Sequence, residues 1–202
     1  MTLSEEYADR FASVLTPSAS LIQKDLVEWL DGEPRIDRIS ARAKSVDRFV
    51  AKASKMSSGK PKYDDPLNEI QDQIGARIIV FYEYDVDRVS DIINRYLKPI
   101  EFKMMSPESQ WTFGYFGKHF IYLTPTHIVE SAGEKREEVP FCFELQIKTL
   151  FQHAWSEANH DLGYKPGEQE LDPEHERMLA FASAQAWGAD KTFSQLVKER
   201  AG

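Results

Sequence analysis

Apolar positions along this chain recur with two distinct periods, and the switches between them mark its elements. Apolar residues return every three to four positions over 4–15 and 18–31, the spacing of amphipathic helices. Thr16-Pro17 separates the two, Ser18 or Ser20 is placed to cap the second, and Gly32-Glu33-Pro34 ends it. Over 36–44 the period drops to two: Ile39, Ala41 and Ala43 oppose Arg38, Ser40, Arg42 and Lys44, which predicts a strand with a cationic face. Ser45 is positioned to cap a helix over 46–56, after which 57–62 reads as a flexible basic loop. Asp65-Pro66 opens a short helix that should stop near Gly75.

The run 76–82 is apolar enough for a central strand buried on both faces, and 85–97 is again helical. Strands are predicted at 101–105, 118–124 and 141–148, with an exposed hairpin loop over 131–138. Helices follow over 149–163 and about 173–199, with Gly188 a candidate kink. The first of these carries an apolar stripe of Leu150, Phe151, Ala154, Trp155, Ala158 and Leu162. About five strands mixed with six or seven helices predict an α/β fold with a mixed, mostly five-stranded sheet flanked by helices. One domain is expected over 1–202, its core at about 36–165, with helical additions at 1–35 and 166–202.

The bulk numbers narrow the function. The chain has 202 residues, 42% hydrophobic and 29% charged, with a net charge of −8. That balance argues against a surface built mainly to grip nucleic acid, although it leaves room for a local basic pocket. Cys142 is the only cysteine, so neither an internal disulfide nor a cysteine metal cluster can form. The start lacks the basic and apolar regions of a signal peptide, and no segment approaches the roughly 20 apolar residues of a membrane span. A cytoplasmic protein without membrane association is the expectation.

Four groups of residues carry candidate chemistry. Along 141–148, Phe143, Leu145 and Ile147 fall on one strand face, while Glu144, Gln146 and Lys148 share the other. A carboxylate, an amide and an ammonium in one row suit a metal, a hydroxyl and a phosphate. Arg38, Arg42 and Lys44, followed by Arg48, Lys52 and Lys55 on one helix face, suit a polyphosphate, since arginine binds it bidentately and lysine as a point charge. Asp72, ahead of Gly75-Ala76-Arg77, sets a carboxylate at the mouth of the apolar strand. In Thr112-Phe-Gly-Tyr-Phe-Gly-Lys-His119, glycines let a backbone come close and Tyr115 is available to stack on a base. Read alone, each has a plainer alternative: a solvated basic helix, an Asp72–Arg77 ion pair, or a glycine-aided turn whose aromatics cover the core. His153, Glu157 and His160 raise the separate alternative of a zinc hydrolase, though without His-Glu-x-x-His order.

The order of these segments is specific. Arg42-x-Lys44 with Lys52, Asp72-x-x-Gly75-x-Arg77, Gly114-Tyr115 with His119, Glu144-x-Gln146-x-Lys148, then Trp155, His160 and Tyr164-Lys165 resemble the synthetase domain of the RelA/SpoT alarmone synthetases over about 36–165. The resemblance implies a nucleotidyltransferase-like synthetase fold and an ATP-dependent pyrophosphokinase that makes (p)ppGpp from GDP or GTP. It implies Mg²⁺ held by Asp72 and Glu144, which would also be the catalytic pair. ATP would be bound by Arg42, Lys44, Arg48, Lys52 and Arg77, and the acceptor by Tyr115, Lys118, His119, Gln146, Lys148 and His160. Members often assemble as homo-oligomers, so a homo-oligomer is among the implied partners. Phe116 and Gly117 stand where the family has arginine and serine, Lys148 where it has arginine, and Arg48 where it has serine. Those departures fall mainly on the acceptor side. They keep open an adenine nucleotide or the 3′ end of tRNA as acceptor, as in toxic relatives, and an inactive nucleotide sensor.

Overall fold

The structure is a computed structural model that describes residues 2–104, 117–163 and 172–201. It begins with α1 (Leu3–Arg10), capped by a reciprocal Thr2–Glu5 box, and α2 (Thr16–Trp29). The sequence predicts a break between them at Thr16-Pro17. Instead, a π-turn over Phe11–Leu15 carries the helix through, and the Thr16 N–H reaches back to the Phe11 carbonyl. The wider turn seats Pro17 in the first turn of α2, where its missing N–H leaves no gap.

Next come β1 (Ile36–Ala43), α3 (Val46–Ala53) and a small hairpin of β2 (Met56–Ser57) and β3 (Lys60–Pro61). The predicted basic loop at 57–62 is therefore a paired hairpin, turning at Ser58 and Gly59 with positive φ. Ser45 stands at the start of α3 without a side-chain cap bond. Then follow α4 (Pro66–Glu69), a 3₁₀ turn over Gln71–Gln73, β4 (Ile74–Val80) and α5 (Glu83–Tyr96). The chain continues through β5 (Pro99–Met104), β6 (Lys118–Leu123) and α6 (Thr126–Ser131). Over 133–138, where a hairpin loop is predicted, the backbone is 3₁₀-helical. Last come β7 (Cys142–Thr149), α7 (Leu150–Gly163) and α8 (Pro173–Ala201), which passes through Gly188 as one helix.

Five strands form a mixed sheet in the order β1-β4-β7-β6-β5; β4 and β7 run parallel and the other neighbours antiparallel. Its two faces do opposite jobs. Ile74, Ala76, Ile78 and Val80 of β4, Phe143, Leu145 and Ile147 of β7, and Phe120 and Tyr122 of β6 pack beneath α2 and α5 as the core. The other face carries Ser40, Arg42, Gly75, Arg77, Glu144, Gln146 and His119, which stand in register across four strands. Contrary to the sequence expectation, β4 is thus buried on both faces only at its far end.

α7 covers part of the polar face, with its predicted stripe turned the other way. Gln152, His153 and Ser156 lie inward, while Ala154, Ala158 and Leu162 are exposed, Phe151 stacks on Phe193 of α8 and the buried Trp155 donates its indole N–H to the Leu179 carbonyl of α8. Thr149 and Gln152 make a capping box at the start of α7, and the Thr149 hydroxyl donates to the buried Asp190 of α8. Among the described residues, no helix is long and apolar enough to cross a membrane.

Candidate functional site

A cavity of about 440 Å³ opens on the polar face of the sheet, where β1, the 3₁₀ turn, β4 and β7 meet. Arg42, Lys44, Arg48, Asp72, Gly75, Arg77, Glu144 and Gln146 line it, joined by Ser40 and Ser45. A second cavity, about 320 Å³, lies behind the turn beside Arg10 and Cys142 and contains none of the predicted site residues.

The cationic rim is held from outside the sheet. The buried Tyr7 hydroxyl donates to the Lys44 carbonyl at 2.9 Å, and its ring stacks on Phe49 with centroids 3.6 Å apart. The Lys44 N–H donates in turn to the Gln73 carbonyl at 2.8 Å, which ties the start of α3 to the turn bearing Asp72. Gln73 fixes that turn from within: its amide donates to the carbonyls of Leu67 and Ile70.

Asp72 sits between two lysines, Oδ1 at 2.8 Å from Lys52 Nζ and Oδ2 at 2.9 Å from Lys44 Nζ. Burial works to raise its pKa most strongly, but the bonds and charges of Lys52 and Lys44 together outweigh burial and hold the carboxyl below its ordinary range. Glu144 follows the same pattern. Burial is its largest influence, yet His119 Nδ1 at 3.1 Å and Gln146 Nε2 at 3.1 Å bring its pKa down, while the charge of Asp72 pushes it up. That influence of Asp72 on Glu144 places the two acids within one electrostatic site.

Gly75 neighbours Glu144 in the sheet, paired with Arg42 on its other side. A Cβ there would meet nothing within 4 Å, so the missing side chain leaves the cavity floor open. Two carboxylates beside open space fit Mg²⁺, which takes one or two protein carboxylates and fills its octahedron with water and substrate phosphates. Among the described residues no three acidic, His or Cys side chains cluster as a metal-binding group.

Other predicted residues divide. Arg77 Nη1 donates to Glu157 Oε1 at 2.7 Å and lies 3.3 Å from His153 Nδ1. His153 and Glu157 are thus directed to an arginine rather than to a metal, and His160 is exposed on α7 away from the cavity lining. Lys148 shares the polar face but is buried beneath α7, donating to Ser156 Oγ at 3.1 Å. Burial first, then the charge of Arg77, brings its pKa down to about 8. Lys118 is turned away: it pairs in register with Ile147, which sends its side chain to the core face and onto Asp87 of α5 at 2.6 Å. Adjacent strand residues face opposite sides, so His119 reaches Glu144 and Lys118 cannot. Tyr115, Tyr164 and Lys165 lie outside the described residues.

The structure also accounts for Gly117. A Cβ there would stand 2.5 Å from the Ile147 carbonyl oxygen and 2.5 Å from Lys148 Cγ, leaving no room for the family's serine. Sequence reasoning missed Ser40 as a lining residue, although its alternation with Arg42 was the available signal. The support from Tyr7 carried no signal, because it crosses 37 positions of sequence.

Comparison with known proteins gives the chain a family and relatives of the same fold. Residues 41–169 match the family model for a region found in RelA/SpoT proteins, and that span holds every cavity-lining residue except Ser40. The GTP pyrophosphokinase YjbM of Bacillus subtilis (strain 168) is 29% identical over 147 residues, 70% of this chain and 63% of that protein's own length. The crystal structure of small alarmone synthetase 1 from Bacillus subtilis superposes with a TM-score of 0.74 at 22% identity, covering 98% of this chain and 97% of that one. The structure of that synthetase bound to its product pppGpp gives 0.69 at 23% identity, covering 90% and 92%. The likeness to both structures is one of fold.

Proposed function

Since the match over residues 41–169 makes this chain a member of the RelA/SpoT family, we propose that it is a pyrophosphokinase transferring the β,γ-pyrophosphate of ATP to the 3′-hydroxyl of GDP or GTP, with release of AMP. The supporting observation is the convergence of Asp72 and Glu144 on one cavity rimmed by Arg42, Lys44, Arg48 and Arg77. In this reading the acceptor oxygen attacks the β-phosphorus, the bond between that phosphorus and the α,β-bridging oxygen breaks, and the hydroxyl proton passes to Glu144. The cations hold the donor's phosphates in line, and charge on the transferring group is offset mainly by positioning and electrostatics. Asp72 and Glu144 would hold Mg²⁺, which when bound supplies positive charge to the phosphate oxygens. Lys52 orients Asp72, and His119 with Gln146 orients Glu144 beside the acceptor.

A guanine acceptor is favoured by the relative whose product complex contains pppGpp. The assay mixes pure protein, γ-labelled ATP and Mg²⁺ with GDP, GTP, AMP, ADP, ATP or bulk tRNA separately. Label on a guanine nucleotide together with AMP release is the expected result. Label on an adenine nucleotide or tRNA alone would move the chain to the other acceptor class, and no transfer to any acceptor would leave a sensor. Glu144→Gln should abolish turnover with the fold intact; retention of most activity would remove Glu144 from its role.

A further inference from the structure

We propose that Glu157, together with His153, is a positioning residue for Arg77, fixing the guanidinium before the donor nucleotide arrives; this rests on the functional reading above. Arg77 leaves β4 on the cavity face, two residues beyond Gly75, and lines the cavity. A long side chain on a strand has many rotamers, and ordering it upon binding weakens a ligand's affinity. Here α7 removes that freedom in advance. His153 and Glu157 stand one helical turn apart, so both face the same guanidinium from a rigid element.

The contact engages the guanidinium at one edge. A single nitrogen, Nη1, serves both partners, at 2.7 Å to Glu157 Oε1 and 3.3 Å to His153 Nδ1. Arginine has five N–H donors, and among the described residues only those on Nη1 are engaged, so the donors on Nε and Nη2 are left to meet a phosphate. His153 takes part as an acceptor. Its burial first, and the charge of Arg77 next, lower its pKa and keep the ring neutral, with Nδ1 available to receive the bond. Glu157 is more than half exposed on the outer side, so replacing it removes the tether without opening the core.

The test compares wild type with Glu157→Ala and Glu157→Gln in donor kinetics at saturating acceptor, alongside calorimetric binding of a non-hydrolysable ATP analogue. In Glu157→Ala, the KM for ATP and the Kd of the analogue should each rise about three- to fivefold, the range an exposed ion pair supplies. The kcat should stay within about twofold of wild type, because the chemical step is untouched. Glu157→Gln keeps an oxygen acceptor for Nη1 and should recover most of the loss. A donor KM that is unchanged or lower in Glu157→Ala, or a fall in kcat at constant KM, overturns the proposal. Wild type that binds and transfers while Glu157→Ala is indistinguishable from it sinks this proposal alone. Wild type that neither binds the analogue nor transfers sinks the functional reading and this proposal with it.

Discussion

Replacing Gly75 with valine should stabilise the protein and abolish its activity, a combination that a merely structural glycine cannot give. Gly75 is not among the glycines with positive φ, and a Cβ there meets nothing within 4 Å, so the backbone accepts a Cβ without strain or clash. Removing a glycine from a strand reduces the freedom of the unfolded chain, which is worth about 0.4–1 kcal/mol where the native conformation is compatible. For a chain of this size that corresponds to a rise in Tm of about 1–4 °C. The same side chain stands directly between Arg42 and Glu144, in strands about 4.8 Å apart, on the floor of the cavity.

A donor phosphate cannot then settle against both groups. Misplacement of reacting groups by about 1 Å costs on the order of a hundredfold in rate. Turnover in the labelled-ATP assay should fall by at least that factor, while the melting transition holds or rises. Gly75→Ala, with one carbon, should fall between. A Gly75→Val protein that keeps more than about a tenth of its activity would show that the nucleotide does not use this floor. One that melts well below wild type would show that the space is not open.

Other consequences are direct. Gly117→Ala drives a methyl against the Ile147 carbonyl and the Lys148 stem, so stability should drop by about 1–3 kcal/mol; an unchanged denaturation midpoint would contradict that packing. Asp72 has a depressed pKa, so its contribution to stability is present above its unfolded pKa and is lost as pH falls through the folded one. Lys52→Ala leaves burial less opposed, and the acid limb of the pH–rate profile should move to higher pH; an unmoved limb would remove Lys52 from this role. The KM for ATP should rise with salt, because Arg42 and Arg48 line the cavity without an ion-pair partner among the described residues. Arg48→Gln should flatten that dependence, read from kinetics at several ionic strengths.

Much of the site was legible because a strand shows its two faces in every second residue. Arg42 with Lys44, and Glu144 with Gln146, declared a polar face before any pairing was known, and Asp72-x-x-Gly75-x-Arg77 supplied the edge between them. The same rule, applied strictly, excludes Lys118 once His119 is given to the site, since neighbours on a strand cannot share a face. The inward face of α7 was not legible. Its apolar stripe named no partner, and in the structure α8 takes part of that stripe while the sheet takes the polar face. Which partner a helix face meets is decided by distant chain, and α8 begins beyond the span matched by the family model. The π-turn before Pro17 was hidden for a local reason: a proline reads as a break unless the preceding turn widens to receive it.

An acidic chain and a polyphosphate site are reconciled by where its acids are placed. The net charge of −8 is a sum over the whole surface, while a bound phosphate responds mainly to charges within a Debye length of about 8 Å. At the site three acids are already committed: Asp72 to Lys44 and Lys52, Glu144 to His119, and Glu157 to Arg77. Asp72 is outnumbered by its own lysines, and Arg42 and Arg48 add two further positive charges on the same rim. The local balance is therefore positive in a molecule whose net charge is −8. In the proposed reaction the phosphates of a nucleotide would meet this rim where lysines already neutralise the acid. A long nucleic-acid backbone, which needs many contacts spread over a surface, would draw less from so confined a rim.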